Sequence, residues 1–176
     1  MDELNSRLSE LGLQPMNSDT YAPATGDELQ RLEAEVGGQL PDDYRWFLAR
    51  YGESLFERAV ACPPSSGLGL LPFAFFYGSD SSGNGVFANY MAYKDQFPRE
   101  AIPIGEDGLG NLYILAATGL NRGKVYYWDH SVGWESKADE YRSQGLAVPD
   151  AVKYGCLEQV APTFTSFVFG LQPDED

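Results

Sequence analysis

The stretch from Ile102 to His130, IPIGEDGLGNLYILAATGLNRGKVYYWDH, constrains this chain more than any other. Two runs, Asn111 to Thr118 and Gly123 to Trp128, are rich in aromatic and branched residues and short enough to be strands. Gly119 to Gly123 between them is a turn-forming cluster, so the pair reads as an antiparallel hairpin with a five-residue loop. A third short run, Ile102 to Ile104, enters through Gly105 to Gly110, a loop of three glycines and two acids suited to a sharp reversal. A three-stranded meander at the centre of an α+β domain follows.

The flanking segments supply helices. Leu4, Leu8 and Leu11 share a face of a short amphipathic helix that stops at Gly12, and Gln14 to Ala24 reads as a connector. Thr25 and Glu28 form a T-x-x-E capping box, followed by Leu29, Leu32 and Val36 on one face and a stop at Gly37 and Gly38. Pro41 is placed at the first position of the next helix, where its missing N–H costs nothing. Asp42 and Asp43 then meet the positive end of the helix dipole, Tyr44, Phe47, Leu48 and Tyr51 share a face, and Gly52 closes. Leu55 to Val60 either extends that helix or begins a strand. Leu70 to Tyr77 reads as a buried strand, with Pro72 marking an edge or bulge. Gly78 to Gly85 reads as a polar, flexible turn, and Val86 to Tyr93 as the second strand of a hairpin. Lys137 to Gln144 reads as helical, and Gly145 to Cys156 is ambiguous. Phe164, Phe167, Val168 and Leu171 predict a final helix docked on the sheet, ahead of a frayed acidic tail from Pro173 to Asp176.

The 176 residues fit a single domain spanning 1–176, and 43% hydrophobic content is a globular value. A net charge of −14, from 12 basic and 26 acidic residues, disfavours direct binding to nucleic-acid backbones or anionic membranes. It suits either solubility or a basic protein partner. Cys62 and Cys156 are far apart and lack the spacing of a zinc site. Without a secretory signal or a transmembrane-length run, the expected location is the cytoplasm.

Catalytic motifs are missing. His130, the single histidine, follows Asp129 on a strand, where neighbouring side chains point to opposite faces. A hydrolase would have to pair it with Glu106 or Asp107, but adjacent carboxylates in a glycine loop are ordinary solvated turn residues. GLNRGKV (Gly119 to Val125) is too short for a P-loop and has Val where Ser or Thr binds magnesium. Gly67 and Gly69 are followed by Pro72 where a dinucleotide fingerprint needs glycine. No cofactor or metal is expected. Tyr126, Tyr127, Trp128 and Trp134 form an aromatic group for which core packing is the default. A strand aromatic on both faces, however, is either covered twice or partly exposed, and an exposed aromatic rim beside acids would bind protein.

T-x-x-E-L-x-x-L-E-x-x-x-G (Thr25 to Gly37), L-P-x-x-Y-x-x-F-L-x-x-Y-G (Leu40 to Gly52), I-P-I-G-E-D-G-L-G-N (Ile102 to Asn111), G-K-V-Y-Y-W-D-H (Gly123 to His130) and S-F-x-F (Ser166 to Phe169) occur in this order. Together they resemble the SUKH superfamily of Smi/Knr-like proteins. The resemblance implies an α+β fold with a central, mostly antiparallel sheet of about five strands and helices packed against it. It also implies a non-enzymatic role: bacterial members resemble immunity proteins that neutralise a cognate toxin, often a nuclease, and a fungal branch is tied to cell-wall synthesis and signalling. The expected function is binding of a basic toxin domain through an acidic surface, with Glu106, Asp107, Asp129, Trp128 and Trp134 as contacts. The alternative is a regulatory domain with no toxin partner. Residues 1–24 are an N-terminal extension to the pattern, and Glu135 to Val160 is longer than the pattern leads one to expect.

Overall fold

The computed structural model describes residues 1–67, 69–82, 84–132 and 135–174. Helix α1 (Asp2–Glu10) buries Leu4 and Leu8, and its Arg7 donates to the Leu171 carbonyl at 2.6 Å. Part of the expected connector is strand β1 (Leu13–Pro15). Helix α2 (Gly26–Val36) opens on the complete Thr25/Glu28 capping box and ends at Gly37, whose φ of 78° only glycine adopts without strain. In α3 (Asp42–Leu48), Pro41 is the cap rather than the first helical residue. That helix stops at Ala49. Gly52 serves a close approach instead, since a Cβ there would lie 2.6 Å from the Ala22 carbonyl oxygen.

Residues Ser54–Cys62 form strand β2, and Leu71–Phe76 form β3. The expected second strand of a hairpin at Val86 to Tyr93 is instead helix α4 (Val86–Tyr93). Its aromatic and branched composition favours a strand, but tertiary contacts override that weak preference. Val86 and Tyr90, one helical turn apart, are both buried, and the Asp80 carboxylate of the preceding loop accepts from the Ala88 amide in the first turn at 3.2 Å. The central meander is present as β4 (Ala101–Glu106), β5 (Leu112–Ala116) and β6 (Val125–Trp128). Helices α5 (Glu135–Ser143) and α6 (Asp150–Tyr154) follow, then β7 (Glu158–Ala161), α7 (Phe164–Gly170) and β8 (Gln172–Pro173).

The fold is α+β, but the sheet has eight strands rather than about five. Its order is β1-β2-β3-β4-β5-β6-β7, and β8 also pairs with β2. All the strand pairings are antiparallel among the described residues. The shortfall has a physical origin: β1, β7 and β8 have two to four residues each, too few for a period-two pattern to register. The chain termini are thereby drawn onto β2, where β1 covers Ser54 to Phe56 and β8 covers Val60 and Ala61. Asp174 then donates to the Ala59 carbonyl at 2.9 Å, so the expected frayed tail is held at its start. Pro72 is tolerated because β3 pairs with β4 only at Phe75 and Phe76, leaving the flank of Pro72 unpaired on that side.

Strand β5 is buried along its whole length. On one face Tyr113 packs with Phe73 and Phe167, ring centroids 5.1 and 5.2 Å away, and Phe164 carries the cluster on to Tyr44 and Phe47. The α7 Phe face therefore docks as expected. On the other face Trp128 meets Phe97 at 5.3 Å and Tyr126 meets Tyr154 of α6 at 5.3 Å. The aromatic meander is covered on both faces except at Tyr127, which is half-buried.

Candidate protein-binding surface

One end of the meander is closed by the loop from Asp107 to Asn111. Its geometry is set by one carboxylate. Asp107 Oδ1 accepts from the Leu109 amide at 2.7 Å and the Asn111 amide at 3.1 Å. Its Oδ2 accepts from Asn111 Nδ2 at 2.6 Å and from the Tyr127 hydroxyl at 2.9 Å. Gly108 and Gly110, at φ of 80° and 95°, supply the left-handed backbone this path needs. Asp107 is 8% exposed, and its oxygens are spent on holding the loop.

Asn111 passes the constraint on. Its Oδ1 accepts from the His130 amide at 3.1 Å and lies 2.7 Å from His130 Nδ1. The ring of His130 is thus oriented by an amide and is exposed to solvent. Asp129, half-buried, accepts from the Ser131 amide and hydroxyl at 2.8 and 2.6 Å. These bonds, the hydroxyl's first, hold its carboxyl below the usual aspartate range, so it is charged at neutral pH. Glu106, also half-buried, accepts from the Tyr77 hydroxyl at 2.9 Å. Burial, and then the neighbouring Glu106 charge, push that phenol far above its ordinary value. Trp128 is 8% exposed and belongs to the core. Trp134 lies outside the described residues.

The structure therefore joins Asp107, Asn111, Tyr127 and His130 in one network, while the Asp129 carboxylate bonds to Ser131, Glu106 to Tyr77, and Trp128 packs on Phe97 in the core. Tyr127, named in the aromatic group but not among the expected contacts, links Asp107 to a groove of about 330 Å³ lined also by Asp129, Val132, Leu157 and Glu158. The alternation of Tyr126 and Tyr127 across β6 signalled a residue facing away from Trp128, but its partner Asp107 could not be read from pattern. Glu158 and Leu157 come from the segment around β7, whose pairing is long-range. Elsewhere, burial pushes the Cys62 thiol up to about 11, opposite to an activated nucleophile. Among the described residues no group of three His, Cys, Asp or Glu side chains is arranged to hold a metal ion. None of the described helices is long and apolar enough to cross a membrane.

Residues 23–170 match the SMI1 / KNR4 family (SUKH-1). The chain belongs to this family. A relative, the SPbeta prophage-derived uncharacterized protein YokK of Bacillus subtilis (strain 168), is 30% identical over 129 residues, covering 64% of this chain and 66% of that protein. The chain thus spans just under two thirds of the length of this curated relative. The SUKH-1 match takes in residues 135–160, including α5, α6 and the start of β7, and leaves out α1, β1 and β8. Those outer elements nonetheless pack on the SUKH-1 framework, α1 against α7 and both short strands against β2.

Proposed function

We propose that this SUKH-1 protein is a non-catalytic immunity protein that binds and neutralises a cognate toxin domain in the cytoplasm. The observation that carries the reading is membership of the family, joined to a net charge of −14 on the chain. A nuclease is the toxin class that best suits this charge, because its cleft is built to attract phosphates and an acidic surface competes for the same groups. Glu106 and Asp129 are the accessible carboxylates of the expected set, while Asp107 and Trp128 act by supporting the surface.

The test is to co-purify the protein with the C-terminal domain encoded by the adjacent upstream gene, and to co-express the two in a growth assay. Binding with rescue of growth is expected, and association should weaken as salt is raised. Neither binding nor rescue would replace this reading with that of a regulatory domain. Binding insensitive to salt would remove its electrostatic part.

A further inference from the structure

The loop that Asp107 holds displays a side chain that the fold does not use. Leu109 is 73% exposed, yet its amide is fixed at 2.7 Å to Asp107 and it stands between two glycines of positive φ. Single exposed leucines are common on protein surfaces. Leu109 differs in its setting. Tyr127 donates to the same Asp107 carboxylate and also lines the adjacent groove of about 330 Å³. Val132, 53% exposed, and Leu157 give that groove apolar walls, and Asp129 and Glu158 give it carboxylates. Neither Lys nor Arg is among the described residues lining it. An apolar knob on a loop with little entropy left to lose thus sits beside a negatively charged groove. Rigid anchors of this kind bind at low ordering cost.

We propose that the Leu109 knob and the Tyr127 groove together form the docking surface for a basic protein segment, with a Lys or Arg side chain entering the groove beside Asp129 and Glu158 and an apolar neighbour packing on Leu109 and Val132. Charge complementarity selects this occupant: a neutral or acidic segment would desolvate both carboxylates without supplying a counter-charge. The inference rests on the toxin-binding reading above and names the surface that would carry it.

The experiment measures binding of the purified C-terminal domain encoded by the adjacent upstream gene to wild type and to three neutral variants. Leu109→Ser and Val132→Ser alter the proposed surface. Leu120→Ser alters a still more exposed leucine in the hairpin turn at the opposite end of β5. Thermal midpoints should be unchanged in all three, since each side chain is exposed. Leu109→Ser is expected to weaken binding on the order of ten- to thirty-fold, as for an interface anchor, Val132→Ser less, and Leu120→Ser not at all. Asp129→Asn combined with Glu158→Gln should flatten the salt dependence. If wild type binds and the Leu109 and Val132 variants bind as tightly, or no worse than Leu120→Ser, the surface assignment falls while the function stands. If wild type does not bind, both fall.

Discussion

The loop from Asp107 to Asn111 and the loop from Gly78 to Gly85 are both glycine-rich, polar and acidic, and they differ in how much of their bonding comes from outside. In the first, one carboxylate gathers amides from within five residues and a single outside hydroxyl, that of Tyr127. The second, expected as a flexible turn, has turn bonds of its own around Ser79 and is also held from outside. Glu28 of α2 accepts from the Ser79 hydroxyl at 2.8 Å and the Asp80 amide at 2.9 Å, and the buried Glu53 accepts from the Asn84 side chain. Asp80 in turn pairs with Arg31 and caps α4. Glu28 does this with the oxygen its capping box leaves over, since Oε2 serves Thr25 and Oε1 serves the loop. An acid in a glycine loop can therefore close its own turn or plug a loop into distant elements. Only the first arrangement can be recognised locally.

The sharpest test of this contrast uses glycine. A Cβ at Gly78 would lie 2.1 Å from the Glu53 nitrogen, with backbone that cannot give way. Gly78→Ala should cost about 3 kcal/mol or more, read from the midpoint of urea unfolding. Asp107→Ala should cost about 2–3 kcal/mol, because it strips several donors of one acceptor. Hydrogen exchange would then rise at Leu109 and Asn111 but not at Ser79 and Asp80; a spread to the second loop would break the comparison. Gly108→Ala has room, with Ala74 Cβ at 3.5 Å, and carries only the penalty of its φ of 80°, about 1–2 kcal/mol. A loss equal to that of Gly78→Ala would mean the two loops are constrained alike.

The smallest effect is expected from Glu28→Gln, about 1 kcal/mol at neutral pH, the usual scale of a lost cap. Burial raises the Glu28 pKa, but hydrogen bonds from the Thr25 amide, the Ser79 and Thr25 hydroxyls and the Asp80 amide outweigh it, leaving the carboxyl below the ordinary 4.5. A depressed carboxyl contributes its stability in full above the unfolded value and loses it as pH falls through the folded one. The difference between wild type and Glu28→Gln should therefore be constant above about pH 5 and shrink below 4.5. Persistence of the full difference at pH 3 would show that the charge is not what holds the second loop.

What was legible followed the range of the interaction. The capping box of α2, the hairpin around Gly119 to Gly123 and the turn glycines of the Asp107 loop all act over a few residues, and the sequence displays each. The Phe face of α7 was legible as well, because a helical stripe announces a buried side. The site was legible only as a place. Glu106, Asp107, Trp128 and Asp129 were picked out together, but which would be spent on the fold and which would reach solvent depended on Tyr127, Phe97 and Tyr77, partners from other strands and loops.

By itself the sequence determined the class of fold, the order of most helices and the central meander, since periodicity, caps and turn chemistry are local properties of the chain, and its ordered motifs carried the resemblance to the SUKH superfamily. Tertiary structure alone decided that residues 86–93 are helical, because burial of Val86 and Tyr90 and a cap from Asp80 outweigh a strand preference worth at most about 1 kcal/mol. It also decided the strands at β1, β7 and β8, whose backbone groups have no partners until β2 and β6 are in place. The exposure of Leu109 beside a charged groove belongs with these. A leucine's accessibility depends on what the rest of the chain leaves uncovered.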